Sequence, residues 1–416
     1  MTTTLAETGP LYGTADTLAL LLDQYAERFP WYGELVRART GGPVTALAEL
    51  PLIDERVLSA HYYEADHTDL PQAEAFHTSG TATGRRKRIL YAPADDDAYV
   101  AQRKALFADF LGEVRPGEVA VADLGTGHAA ASARRIFEEM GFDARDIDFQ
   151  SPIHEHIAKL NAWRPDVLFT MPMILDRLLQ SPEPLTITPR RIMVVGDLAP
   201  AAWRRRVAER FGLSTADVLD VFGSIEIGAI AYSCEETGLY HFHDHILPEV
   251  IAPAELYGDS TAPATRPGDG ILLLTSLTRQ YFPAVRYVTG DVIVGLRTIT
   301  WRGRTVQAFE RIDGRFGGDF KHGERISNHD LCQAMAEVFP SRAFEVVTSG
   351  GLEIRVVADQ VTGDQLGAVR ALIRDASPDV AQMIDSGLVN DLRVTAVRVD
   401  QLRSNHAKRR FNLQEI

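Results

Sequence analysis

The chain has 416 residues, 45% of them hydrophobic and 24% charged, and a formal net charge of -14. That length exceeds the usual span of one hydrophobic core, so two or three domains are expected, and the composition is that of a soluble globular protein. The acidic balance argues against non-specific nucleic-acid binding, which needs surplus Lys and Arg to neutralise phosphates. Two cysteines, Cys234 and Cys332, supply neither a disulfide framework nor the ligand spacing of a structural zinc site. The N-terminal MTTTLAETGPLYG lacks the basic region and apolar run of a secretory signal, and no apolar stretch approaches membrane-spanning length. A cytoplasmic enzyme with no nucleic-acid or membrane partner is the default class.

Residues from about 15 to 65 read as helical, with Leu18, Leu21, Tyr25 and Phe29 near helical spacing, a stop at Pro30 and a new start at Asp54. Ala94–Leu111 reads as an amphipathic helix. Strand, turn and helix then alternate: strands Glu118–Leu124, Pro165–Met171, Arg191–Val195 and Val218–Val221, and helices Ala129–Met140, Pro172–Leu179 and Pro200–Phe211. That alternation predicts an α/β domain with a largely parallel sheet. From about residue 239 the pattern becomes β-rich, with strands Ile246–Ile251, Gly270–Leu277 and Asp291–Leu296. A glycine-rich stretch, Gly314–Gly323, reads as a hinge. Helices Asn328–Val338 and Gly363–Ala376, with strands Phe344–Thr348, Leu352–Val357 and Asp391–Val399, make a small α+β C-terminal domain.

Several segments suggest chemistry. In Thr78-Ser79-Gly80-Thr81-Ala82-Thr83-Gly84-Arg85-Arg86-Lys87-Arg88, small and hydroxyl residues precede a cationic run. Glycine lets a backbone approach a phosphate, and hydroxyls, N–H groups and Arg or Lys satisfy its oxygens. A plain surface turn before a solvated charge run is the competing reading. The segment is not a P-loop, because the GxxxxGK[ST] order is absent. Phe222-Gly223-Ser224-Ile225-Glu226 follows a strand, where open α/β sheets bind ligands. An acid there can hold a divalent metal near phosphates, or Glu226 is solvated in a tight turn. Arg286-Tyr287-Val288-Thr289-Gly290-Asp291 offers a carboxylate for ribose hydroxyls or a common turn. Arg403–Phe411 is a basic segment, more usually a solvated tail. His241, His243 and His245 alternate, so a strand would carry them on one face; a surface or interface role is favoured over a metal triad. His154 and His156 read as solvated residues of a helix N-terminal turn, with a place near a substrate pocket as the alternative. Gly125-Thr126-Gly127 lacks the remaining dinucleotide fingerprint.

Taken together, in this order and at these intervals, the segments resemble the adenylate-forming superfamily of acyl-CoA synthetases, adenylation domains and luciferases. The likeness covers nearly the whole chain and is nearest the phenylacetate–CoA ligase branch, through Leu50-Pro51-Leu52-Ile53-Asp54, Leu274–Thr278 and Pro283–Tyr287. It implies a 1–314 domain that binds ATP and the acid, built of α/β and β-rich subdomains, and a small mobile α+β lid at 315–416. It places Thr78, Ser79, Gly80, Thr81, Thr83, Gly84 and Lys87 on the β- and γ-phosphates of ATP. Gly196, Asp197, Phe222, Gly223 and Ser224 fall beside the nucleotide, Glu226 on Mg²⁺, Asp291 on the ribose and Arg315 on ribose or phosphate. Lys408 matches the lysine that joins carboxylate and α-phosphate during adenylation.

The expected reaction is ATP- and Mg²⁺-dependent adenylation of a small, aromatic or amino-substituted carboxylic acid, followed by transfer to coenzyme A. The alternative acceptors are an amine, a carrier-protein thiol, or an inorganic nitrogen nucleophile such as nitrite. A third reading is an inactive nucleotide-sensing relative. The resemblance also allows a homodimer. Three departures from the pattern stand out: no proline follows Gly84, Gly317 and Gly318 stand at the usual acidic pivot, and the region before Arg315 lacks the cysteines of a zinc knuckle.

Overall fold

The computed structural model describes residues 15–42, 44–67, 70–78, 87–125, 128–257, 266–316, 320–322, 324–348, 352–387, 390–403, 409 and 411. The chain divides into two compact units, Met1–Leu106 with Phe222–Arg311, and Phe107–Val221 with Ile312–Ile416.

The second unit contains the predicted parallel sheet. Its strands run in the order Val218–Ser224, Arg191–Val195, Val167–Thr170, Val119–Asp123 and Asp143–Asp146. The inner strands are mostly apolar because helices cover parallel sheets, as the fully buried Val167–Thr170 shows. Helices His128–Met140, Pro172–Gln180 and Ala201–Phe211 fall where their periodicity placed them. Pro172 opens its helix at a position where its missing N–H costs nothing, and Gly212 closes the last one in the left-handed region at φ 68°. The edge strand Asp143–Asp146 and helix Ile153–Trp163 escaped the sequence reading. The strand is charged and only one of its residues is buried, so it carries no apolar run to recognise.

The same unit holds a three-stranded sheet, Phe344–Val347, Glu353–Val357 and Arg393–Val397, antiparallel in its first pair and parallel in its second. Helices Asn328–Val338 and Gly363–Ala376 bury Leu331, Met335, Val369 and Ile373 against Phe344, Ile354 and Val356. Ser327 and Thr362 cap them through their hydroxyls. A further helix, Pro378–Asp385, was not foreseen. Helix Asn328–Val338 also packs on helix Ala201–Phe211, with Gln333 Oε1 accepting from Ala202 N at 3.2 Å and Glu337 paired with Arg205.

The first unit is β-rich, as expected. Gly228–Cys234, Leu239–Phe242, Arg304–Phe309 and Arg297–Trp301 form one antiparallel run, and Ile246–Ile251, Gly270–Ser276 and Tyr287–Val294 another. Asp291 does not begin a strand. It lies inside Tyr287–Val294, at a bulge whose register slips between Ile271 and Leu273 and where Gly290 adopts φ 79°. Helix Pro93–Leu111 matches its predicted span. Its residues Asp95, Tyr99 and Arg103, spaced four apart, are all buried.

Candidate active site

In the first unit the base of the hydroxyl-rich loop is well defined. Strands Glu74–His77 and Arg88–Tyr91 pair antiparallel. Above them Thr78 N donates to Lys87 O and Lys87 N donates to Thr78 Oγ1, both at 3.0 Å. Residues 79–86, with Ser79, Gly80, Thr81, Thr83, Gly84, Arg85 and Arg86, lie outside the described residues. Lys87 pairs with Glu55 and sits 5.3 Å from the Tyr63 ring centre. The Tyr63 hydroxyl donates to Glu55 Oε2 at 3.3 Å. Its pKa is pushed up by burial and then by the Glu55 and Glu226 carboxylates, so Glu226 lies in the electrostatic neighbourhood of the loop base.

The Phe222–Glu226 segment is the end of a strand followed by a tight turn before Gly228. Ile227 N donates to Ser224 Oγ at 3.2 Å, Tyr91 Oη to the Ile225 carbonyl at 2.8 Å, and Arg279 Nε to the Glu226 carbonyl at 2.9 Å. Glu226 is half-buried rather than solvated. Arg279 in turn stacks over Tyr91, 3.8 Å from its centroid, donates to Leu90 O and pairs with buried Asp95. Asp95 accepts from Ala92 N, Gln280 N and Tyr281 N as well. This Asp95–Arg279 hub fixes the turn that carries Glu226, and the sequence reading missed it. Arg279 directly follows the Leu274–Thr278 segment, but nothing local names a partner 184 residues away.

Phe222 meets Phe309 edge to face, with centroids 6.4 Å apart. Asp291 N donates to Thr289 Oγ1 at 3.0 Å, and Thr289 in turn donates to the Leu272 carbonyl, so the bulge fixes where the Asp291 carboxylate starts. The three alternating histidines do not share a strand face. The strand ends at Phe242; His241 is fully buried and bonds the Thr237 hydroxyl at 2.8 Å, whereas His243 and His245 follow it in a turn. A surface role for His241 is thereby corrected. No cluster of three metal-ligating side chains occurs among the described residues. A lone carboxylate such as Glu226 suits Mg²⁺, which keeps waters and takes its remaining ligands from substrate phosphates.

In the second unit Gly196 follows strand Arg191–Val195 at φ 85°, and Asp197 accepts from Leu198 N. The Asp197 carboxylate also engages Arg409: Oδ2 accepts from Nη1 at 3.1 Å and from the Arg409 amide at 3.3 Å. Arg409 reaches further, to Asp176 Oδ2 at 2.5 Å and the Leu198 carbonyl at 3.0 Å. Burial pushes Asp176 up to about 6 against the pull of Arg409. Arg409 is thus no solvated tail residue; it is 6% exposed. Lys408 beside it lies outside the described residues, and Arg315 ends its strand exposed. His156 is likewise not solvated. It is buried, with Nδ1 2.9 Å from Asp123 Oδ1 and Nε2 3.0 Å from the Ser151 carbonyl. Both described cysteines are free, and burial pushes the Cys332 thiol up to about 12.

Comparison with known proteins adds to this geometry. Residues 321–400 match the fumarate–diaminopropanoate ligase C-terminal domain. The chain is 43% identical over 396 residues to the fumarate–(S)-2,3-diaminopropanoate ligase of Enterobacter agglomerans, covering 95% of this chain and 98% of that one. A phenylacetate–coenzyme A ligase of Escherichia coli K12 is 33% identical over 118 residues, 27% of this chain and 24% of its own. Among solved structures, a 2-hydroxyisobutyryl-CoA ligase in the postadenylation state shares the fold with a TM-score of 0.72, at 15% identity over 96% of this chain and 88% of that one. Fold and relatives together define the class: the protein is an adenylate-forming ligase. Within that class, the chain belongs to the fumarate–diaminopropanoate ligase family.

Proposed function

We propose that the protein adenylates a small unsaturated dicarboxylic acid of the fumarate type and transfers the acyl group to a primary amine of an amino acid such as 2,3-diaminopropanoate, forming an amide. The observation that carries this reading is 43% identity along almost the whole length of a ligase named for that acid and that amine. An amine acceptor displaces coenzyme A as the leading expectation because the sequence likeness to the phenylacetate–coenzyme A ligases extends over at most 39% of the chain, at 33% identity or less.

In this reading one carboxylate oxygen of the acid attacks the α-phosphorus of ATP and pyrophosphate leaves. The amine nitrogen then attacks the acyl carbon, AMP departs with the carboxylate oxygen, and the amine loses a proton. The first transition state gathers negative charge on phosphoryl oxygens, so fixed cations and donors lower its energy most. Lys408 supplies the cation. Thr78, Ser79, Gly80, Thr81, Thr83, Gly84 and Lys87 hold the β- and γ-phosphates. Phe222, Gly223, Ser224, Gly196 and Asp197 flank the nucleotide, and Asp291 and Arg315 hold its ribose side. Glu226 would hold Mg²⁺, which neutralises phosphate charge when bound. Residues 315–416 serve as the lid over the 1–314 domain.

The test is pyrophosphate release with a panel of acids, repeated with 2,3-diaminopropanoate, coenzyme A and other acceptors. Turnover with fumarate that the diamine accelerates, with coenzyme A inert, is the expected result. Acceleration by coenzyme A and not by any amine would return the protein to the thioester-forming ligases.

A further inference from the structure

Helix Pro93–Leu111 carries two buried charges on one face, and they are treated differently. Asp95 is fully matched by Arg279 and three backbone amides. Arg103, two turns on, is 1% exposed, and its Nε and Nη1 have no hydrogen-bond partner among the described residues. Its guanidinium lies over the ring of Tyr99, 5.3 Å from the centroid. It presses on the Phe222–Glu226 segment: a Cβ placed on Gly223 would stand 2.8 Å from Arg103 Nη2 and 2.7 Å from the Gly228 carbonyl. His243 Nε2 is a second buried nitrogen without a partner among the described residues. Burial and then the Arg103 charge keep the His243 imidazole well below its usual pKa, which places the two side chains within electrostatic reach.

An arginine buried without an acid or a full set of acceptors is expensive, because its charge has lost water for little more than the face of one ring. Buried polar groups left open in this way call for a partner from outside the chain, a water, an ion or a ligand. Donors without acceptors call for an anion, and a guanidinium over an aromatic ring suits a planar one. Gly223 is the residue that leaves room for the guanidinium, since any side chain there would collide with it.

We infer that Arg103 receives the second carboxylate of the acid substrate, the one that is not adenylated. This rests on the dicarboxylate reading above and assigns that reading a residue. A nucleotide phosphate could answer the same donors, and the experiment separates the two.

Pyrophosphate release is measured for the wild-type enzyme and for Arg103→Met and Arg103→Lys, with fumarate and with crotonate, which has the same chain but one carboxylate. Wild type should favour fumarate by kcat/KM. Arg103→Met should lose on the order of 10²–10³-fold with fumarate, the usual consequence of removing one partner of a buried charge pair. It should keep its activity with crotonate and its KM for ATP, and Arg103→Lys should fall between. Without ligands, Arg103→Met should melt no lower than wild type, because it sheds an uncompensated charge. A structural arginine would lower the melting temperature instead. Equal losses with both acids, or a raised KM for ATP with both, would assign Arg103 to the nucleotide or to the scaffold and overturn the inference alone. A wild-type enzyme as active on crotonate as on fumarate would overturn the dicarboxylate reading and this inference together, with no variant needed.

Discussion

At the scale of single residues, the outcome turns on which polar groups are buried and with what. His156 and Asp123 form a pair sealed from water, each 1% exposed or less. Burial alone would lower the His156 pKa, but the Asp123 hydrogen bond and charge outweigh it and raise it above the usual 6.5. Burial raises Asp123 in turn, and one of its oxygens is without a partner among the described residues. A histidine with a raised folded pKa stabilises fully below its unfolded pKa, and that contribution is lost as pH rises through the folded value. His156→Ala should therefore cost about 3–5 kcal/mol near pH 6, as for a broken buried pair. The gap to wild type should narrow as pH rises through the folded pKa of His156, and denaturant melts over a series of rising pH values check it. A gap independent of pH would mean that the imidazole acts by packing alone.

At the scale of elements, the segments that carried the family resemblance turn out to touch. Leu50–Ile53 and Pro283–Tyr287 are more than two hundred residues apart, yet Arg286 donates from Nη1 to the Ala48 and Leu50 carbonyls at 2.8 and 2.9 Å. Ile53 N donates to Arg286 O, Val288 N donates to Ile53 O, and the Arg286 Nε–Glu249 pair, 3.0 Å long, lies buried beneath. These contacts hold the strand that leads to Asp291. Arg286→Ala should destabilise the protein by about 3–5 kcal/mol, since it strands Glu249 in the interior. A loss under about 1 kcal/mol in a urea melt would show that Glu249 finds another partner. Arg286→Lys should recover only part of the loss, because an ammonium lacks the fork that reaches three acceptors.

At the scale of the whole molecule, the basic segment near the C-terminus gains its meaning from long-range contacts. Arg409 bonds Asp176, 233 residues earlier, and Asp197, 212 residues earlier. This anchors the chain one residue from Lys408. Lys408→Ala should reduce adenylate formation on the order of 10²–10³-fold, as for loss of one donor to transition-state charge, with ATP affinity nearly intact. Arg409→Met should reduce the same step by about 10²-fold through misplacement of its neighbour, again without weakening ATP. Exchange of pyrophosphate into ATP, with equilibrium binding of an ATP analogue, checks both. Full activity in Lys408→Ala would remove the lysine from the chemistry.

Local patterns in the chain were enough to specify the parallel sheet, the β-rich unit and the small C-terminal α+β region. Apolar runs and turn residues act over short distances, and among the described residues they survive into the fold with boundaries moved by one to a few residues. The chain also carried the reaction class, through motifs spread along nearly all of its length. Only long-range packing revealed that Asp95 and Arg279 hold the Glu226 turn, that Asp291 sits in a bulge, that His156 is buried on Asp123, and that Arg409 is an anchor. It also set Arg103 apart from Asp95 on the same helix. The physical reason is common to the charged groups among them: a charged side chain reads as solvated until a partner distant in sequence is brought to it. Once water is lost, the presence or absence of that partner outweighs every local preference.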